Sequence, residues 1–520
     1  MPAALESLRA WAHNWLSVVG SAGEATRRGA WDVDSKTQPG ALFFFGVALL
    51  ALAASAYPAA AVEPRIALAT SDDIRGALDV MDTVPPWSVQ PAVELIGRLA
   101  RLRYFLDRLY VINPSQDSIQ VVDPVTLETI LVLPLARGAS PEDICVTEPD
   151  RAFVTQYNSA WLAVIDPSTG AWRGAIDLSG FSDADGLPEM SMMARDGRRL
   201  FVQIQRLDRT NSNRPVPPSY LAVVDLITET LIDADPGAPG IQGIQLLGTA
   251  PVASMHVDRR ARRLFVSAPG PRLNTSGGIE EIDLESLMSL GFILSEASIG
   301  ADLGGFVMTS VDAGYALAHT EVVASSHLHS FSRGGGQGPQ IAATFGHDDS
   351  LALDPVTGYL FFPDPFSARF GVLVIDTATN TLLTGVPVPT GMRPWDLTVM
   401  RTTTPGEVGD LRVQAYDPDG GGMTLSYEPA CGASNHNIVF GPLAGVSAYA
   451  YAGQVCGIGS SGTYGGFDPG PGSSFFLVVA AGAAGNEGSY GVATGGIERP
   501  EVTGDPDCDF VQDLSFACDR

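Results

Sequence analysis

Residues 359–400 read YLFFPDPFSARFGVLVIDTATNTLLTGVPVPTGMRPWDLTVM. Apolar runs at 360–362, 372–375 and 382–388 are separated by Gly, Pro, Asn, Asp and Thr, and a fourth run, 396–400, follows Pro394-Trp395. Runs of four to eight apolar residues bounded by turn formers predict short antiparallel strands. At 520 residues the chain is too long for one ordinary core, so it holds several domains or a repeat array.

A repeat is visible on both sides of this stretch. An aromatic-apolar strand recurs at Leu109-Tyr110-Val111, Ala152-Phe153-Val154, Leu200-Phe201-Val202, Leu264-Phe265-Val266, Tyr315-Ala316-Leu317 and Leu360-Phe361-Phe362. A second strand, ending in an apolar residue plus Asp, recurs at Val122-Asp123, Ile165-Asp166, Val224-Asp225, Ile282-Asp283 and Ile375-Asp376. An Asp opening a tight turn bonds the backbone two residues on, so these aspartates read as structural. A fainter copy at 66–70 and 78–82 brings the count to about seven units of roughly forty-five residues, the period of a radial repeat. The chain enters on a second-position strand near Ile66 and leaves on a first-position strand, 396–400, which predicts that the last strand completes the first blade and closes the ring.

Residues 65–401 resemble the YVTN/YncE-like bacterial β-propellers, most specifically in the last unit. The resemblance implies an all-β chain with a seven-bladed β-propeller, in an exported bacterial protein whose relatives mostly lack an assigned reaction. Similar propellers include lactonases and a streptogramin lyase, so the fold alone leaves chemistry open. In a four-stranded meander, loops after strands one and three emerge on one face and loops after two and four on the other. The tight turns 123–126, 166–170, 196–199 and 354–358 share the first face, and the long insertions 179–189, 205–219, 233–249 and 269–278 share the second. Long loops gathered on one side of a rigid scaffold mark a binding face. Its candidate residues are Asp183, Asp185, Glu189, Arg206, Asp208, Arg209, Asp233, Asp235 and Arg272.

Composition shifts after residue 401. A linker, 402–407, leads into short strand candidates at 411–416, 423–427, 437–440, 448–451, 475–480 and 490–493, which fit a small β-sandwich over 408–500. The stretch HNIVFGPLAGVSAYAYAGQVCGIGSSG is similar to the middle of fibronectin type III-like modules. An acidic tail, 501–520, follows. At the other end, 41–56 (ALFFFGVALLALAASA) is too short for a membrane span and is followed by small residues, so 1–61 reads as an N-terminal extension and signal peptide, with 1–32 an over-extended start. Secretion, the periplasm or the cell surface follows, with membrane contact only through that signal.

The formal charge is −27 and Lys36 is the sole lysine. That balance excludes nucleic acid and anionic lipid as partners, because neither finds positive charge to meet. Cys431 with Cys456, and Cys508 with Cys518, predict two local disulfides in an oxidising compartment, the pairing itself not being legible; Cys145 is left as a buried thiol. Asp505-x-Asp507-x-Asp509-x-x-x-Asp513 is similar in spacing to a thrombospondin type 3 repeat, which makes calcium the one metal expected and no other cofactor. It departs at Phe510, where that motif turns on Gly. His327 and His329 share a strand face near His347, Asp348 and Asp349, a zinc-like set if His347 returned to it. No nucleophile elbow, phosphate loop, zinc-protease helix or Cys-x-x-Cys occurs, and no catalytic residue is assigned. The expectation is a non-enzymatic binding or surface-display protein recognising a protein or carbohydrate through its long-loop face. The alternative is a hydrolase or lyase with its site at the central channel.

Overall fold

The computed structural model describes residues 64–514 apart from 73, 260, 321–323, 347–348, 403, 418–420, 483–484, 492–497, 503–507 and 509. Residues 1–63, including the segment 41–56 expected to be a signal peptide, therefore lie outside the described residues. Among the described residues no helix is long and apolar enough to cross a membrane.

Seven antiparallel sheets of at least four strands make a seven-bladed β-propeller. Blade 2 shows the plan: an inner strand Arg101–Phe105, then Arg108–Asn113, Ser118–Val122 and an outer strand Thr129–Pro134. The inner strands of blades 3 to 7 are Pro141–Glu148, Met190–Asp196, Met255–Asp258, Asp302–Ser310 and Ala352–Asp354. Blade 1 takes its inner strand from the far end of the repeat region. Arg393–Met400 pairs antiparallel with Arg65–Ser71, placing Ile66 opposite Val399 and Leu68 opposite Leu397. The two ends of the repeat region thus share one sheet, and no blade edge is left open toward the axis.

The aromatic-apolar strand is the second of each blade, and its alternation explains the ring. Phe153, Phe201, Phe265 and Phe361 are each fully buried and pack onto the following blade, whereas Leu360 and Phe362 pack back onto blade 6. Burying each such ring contributes about 1.5–3 kcal/mol, repeated around the circle. Blade 6 departs by one residue. Tyr315, aligned in the sequence with the flanking Leu, takes the forward-facing place and meets Leu360 and Phe362, while Ala316 faces blade 5. A one-residue slip swaps the faces of a strand, so the degenerate sixth copy was read out of register.

The turn aspartates do what short polar side chains do in tight turns. Asp123 accepts from the N–H of Val125 and Thr126, Asp166 from Ser168, Asp225 from Ile227 and Asp376 from Ala378. The outer run of the last blade, expected as one strand over 382–388, is broken into Thr381–Leu382 and Val388–Pro389. Gly385 and Pro387 lie in the break, and a proline has no N–H for the ladder.

After residue 401 a three-stranded sheet (Gly409–Asp417, Gly422–Glu428, Thr463–Phe467) faces a five-stranded one built on Asn435–Pro442 and Ser474–Ala481. Leu425, Tyr427, Ile438, Phe467 and Val478 form the core between them, so the module is a small β-sandwich. The strand expected at 448–451 is instead the end of a 3-10 helix, Leu443–Ala448, and a turn whose Tyr449 has φ 48°. Val511–Gln512, in the segment set apart as a tail, pairs in parallel with Asn486–Glu487 and completes the larger sheet. Cys456 is bonded to Cys508 across 52 residues, and Cys431 is disulfide-bonded as well. The local pairs expected from spacing are thus replaced by a bond that ties the tail to the sandwich. Cys145 is free and buried, its thiol pushed up to about 12 by burial.

Candidate functional site: the central channel and its two ends

The seven inner strands surround a cavity of about 1240 Å³. Side chains near the axis reach from one blade to the next and fix its wall. Asp396 of the closing strand accepts from Leu102 N (2.7 Å) in blade 2 and from Ser350 Oγ (2.6 Å) before blade 7. Ser350 Oγ in turn accepts from Leu397 N (3.2 Å). Arg103 Nε donates to Asp143 in blade 3 (2.7 Å), and the second oxygen of Asp143 takes Met193 N of blade 4 (2.7 Å). Arg262 Nη1 reaches Asp196 between blades 4 and 5 (3.0 Å), and Ser254 Oγ accepts from Phe306 N between blades 5 and 6 (3.0 Å). His319 Nε2 meets Asp349 Oδ1 at 2.9 Å between blade 6 and the entry to blade 7.

This last contact is the nearest approach to a catalytic set. Ser326 Oγ lies 3.0 Å from His319 Nδ1, which completes a serine, histidine and aspartate in one chain of bonds. Ser326 is fully buried and also donates to Gly346 O (3.1 Å), and both imidazole nitrogens are engaged. A nucleophile has to meet its substrate, and this hydroxyl faces only protein. The trio is a tie between blades. Gly304 and Gly305 make room for it: a Cβ on the first would lie 2.2 Å from His319 Nε2, and on the second 1.8 Å from Asp349 O.

The two ends of the channel differ. All four long insertions connect a second to a third strand or an outer strand to the next inner one, so they emerge at a single end. Leu99, Val252, Ala253 and Trp395 line the cavity there, and Leu99 is 47% exposed. Ile74, Leu247, Leu273 and Phe366 are exposed on the surrounding loops. At the tight-turn end the cavity is lined by Leu106, Thr147, Arg195 and Arg259, and also by Cys431 and Leu514 of the sandwich. The sandwich thus lies across this end. A Cβ on Gly197, in the tight turn after the inner strand of blade 4, would come 2.9 Å from the Glu428 carboxylate. Burial raises the Glu428 pKa, against the attraction of Arg195 and Arg259. Burial depresses Arg195, whose Nε and Nη1 donate to Gly197 O (2.7 Å) and Thr147 O (3.4 Å).

Of the residues expected on the binding face, Asp183, Asp185 and Glu189 do converge, their ligand atoms within 4.8 Å of one another. Arg209 from the next insertion already enters the group, 2.8 Å from Glu189 and 3.8 Å from Asp185, with its guanidinium over the Tyr157 ring at 4.5 Å. Glu189 is fully buried, and burial raises its pKa against hydrogen bonds from Leu207 N and Arg209. The cluster therefore ties two long loops together. The others are spread out. Arg206 donates to Pro218 O, Asp208 caps Thr210, Asp233 accepts from Asp235 N and Gln242 N, Asp235 from Gly237 N, and Arg272 is exposed. Asp505, Asp507, Asp509 and Cys518 lie outside the described residues, as do His347 and Asp348. Asp513 is described, its backbone N–H donating to Glu487 O (2.9 Å). His327 and His329 share a face, with ring centroids 6.5 Å apart, but bond Ser325 Oγ and Gly338 O, and among the described residues no carboxylate joins them as a metal set.

Arg101, Arg103, Asp143, Met192, His319 and Glu428 were not singled out in the sequence. Only Arg101-x-Arg103 carried a signal, two like charges on one face of a five-residue strand.

No protein-family model and no curated protein matches the chain. Solved structures similar to it are propellers. A putative 6-phosphogluconolactonase from Bacteroides fragilis is 13% identical, covering 65% of this chain and 98% of its own, with a TM-score of 0.47. AztD from Citrobacter koseri is 12% identical over 65% of this chain and 97% of its own, at 0.37. A functionally unknown protein from Desulfotomaculum acetoxidans is 14% identical over 64% and 99%, at 0.40.

Proposed function

We propose that the chain is an exported, non-enzymatic recognition protein, a propeller of the YVTN kind that takes a protein or carbohydrate ligand on its long-loop face. The observation that carries this reading is the position of the sandwich: Cys431 and Leu514 line the tight-turn end of the channel, so a ligand enters from the long-loop end. The exposed apolar residues on that rim, Ile74, Leu247, Leu273 and Phe366, support contact with a partner. The fibronectin type III-like sandwich then serves as a base that presents the open end outward. The disulfide Cys456–Cys508 fits an oxidising compartment. Against the hydrolase or lyase reading stands the use of the axial polar groups. Asp143, Asp396, Ser254, Ser350 and His319 are each spent on a neighbouring blade.

The test immobilises the full chain and measures capture from a glycan panel and an exported-protein fraction. Leu273→Arg or Phe366→Arg weakens capture about tenfold or more if the rim is the contact. Val125→Arg, exposed on a tight turn of the opposite face, leaves it unchanged. Equal effects from the two faces discard the proposal.

A further inference from the structure

We infer that the channel holds a carboxylate-binding site near its long-loop end, built from Arg101 and Arg103. The inference rests on the recognition reading above and names the chemistry that end would select.

Arg101 and Arg103 stand two apart on the inner strand of blade 2, so both side chains leave the same face, and both line the cavity. Their side chains are 34% and 29% exposed, within reach of a ligand. Each guanidinium is held along one edge by blade 3: Arg101 Nη2 lies 2.9 Å from Glu142 Oε2 and Arg103 Nε 2.7 Å from Asp143 Oδ1. Asp143 is itself fixed by the N–H groups of Ile144 and Met193, so the forks are aimed before anything binds.

What they are aimed at is a poor partner. Arg101 Nη1 and Arg103 Nη2 converge on the sulfur of Met192, at 3.3 and 3.5 Å. A thioether is a weak acceptor with no charge, whereas a guanidinium presents five donors in a planar fork shaped for two oxygens. Two charged donors sharing one sulfur on a cavity wall leave hydrogen-bonding capacity that a carboxylate would take up. Of the carboxylates lining the cavity, Asp349 is bound by His319 and Asp396 by Leu102 N and Ser350, so neither hydrogen-bonds the two forks, although Asp396 still attracts Arg103 through space. A net charge of −27 repels anions at long range, so selection comes from contact and not from steering. A free organic acid and the uronate residue of an acidic polysaccharide carry the same group. A cavity of about 1240 Å³ accommodates either.

Titration calorimetry on the full chain separates them, using galacturonate, its trimer, succinate and a neutral galactose trimer. The acids bind and the neutral trimer does not. Galacturonate trimer binding more tightly than the monomer assigns the site to a polysaccharide, and equal binding of monomer and succinate assigns it to a free acid. Arg101→Gln and Arg103→Gln each weaken the acid about tenfold or more, the scale of a lost charge-assisted hydrogen bond. Met192→Leu removes the competing sulfur without touching either ion pair, so it binds the acid as tightly as the parent or more so. A neutral trimer binding equally well, no heat from any acid, or loss of binding in Met192→Leu but not in Arg101→Gln overturns the site. Absent acid binding alongside capture that still depends on Leu273 and Phe366 removes the carboxylate site alone. Acid binding with capture indifferent to those residues removes the recognition face instead.

Discussion

At the long-loop end of the channel, Asp396, Asp143, Ser254 and Ser350 each extend one blade's polar group to a neighbour's backbone, and the wall they make leaves the opening clear. At the tight-turn end the blades are joined by Arg262 and Asp196, and a second domain is laid over them with Glu428 facing Arg195 and Arg259. Bonds within the ring join the blades at both ends, and the tight-turn end carries a cover as well. An array of blades needs its axis fixed, but only bonds within the wall can do so without blocking entry. The contrast therefore separates the structural cost of the ring from the functional choice of a face.

The largest expected effect comes from the wall. Asp143→Ala strips a fully ordered carboxylate of three partners and leaves the Arg103 guanidinium unpaired against blade 3, which should cost about 3–5 kcal/mol. The measurement is the denaturant midpoint of the propeller transition, followed separately from that of the sandwich, because a two-domain chain has no single unfolding free energy. A loss below about 1 kcal/mol would show that this contact does not fix the wall.

The cover is tested by Cys456→Ala with Cys508→Ala. A closed loop of 52 residues corresponds to about 4 kcal/mol in the chain-entropy model, with about 2–4 kcal/mol the usual yield. The loss should fall on the sandwich transition, and amide exchange around Leu514, Thr147 and Arg195 should rise as the tail leaves the channel. Unchanged exchange there would mean that the tail does not help to close that end.

Smallest is a pH effect on the long-loop rim. Glu296 is fully buried, accepts from Gly277 N (2.9 Å) and Leu303 N (2.7 Å), and is pushed up to about 7 by burial. The folded form then holds its proton above the pH at which an unfolded glutamate, with a pKa of about 4.3, releases it. Stability from this group is complete below that unfolded value, falls as pH rises toward 7, and then levels off. Glu296→Gln should flatten the stability profile between about pH 4 and 7, and a profile that keeps its slope would assign the change to another group.

Legibility followed how each part is stabilised. The closing strand 396–400 could be read because Leu397 and Val399 alternate, and pairing with the strand at Ile66 is the arrangement that buries both without an edge. The sides of the loops followed from parity alone. The inner strand of blade 2 is harder to read, because Arg101-Leu102-Arg103 alternates polar and apolar residues toward a channel and carries neither the aromatic-apolar run nor the apolar-plus-Asp ending of its neighbours. The site was less legible still. Asp143 gains its meaning from the N–H of Met193, 50 residues away, and Asp396 from that of Leu102, 294 residues away. Spacing could bring Asp183, Asp185 and Glu189 together, but it could not show that Arg209 fills the group.

Because Arg65–Ser71 finds its inner partner only at Arg393–Met400, roughly 320 residues must be made between the two. At ordinary synthesis rates that delay is about 20 to 60 s. Throughout it the first three strands of the ring present a bare backbone edge, which nothing but the last blade is built to cover.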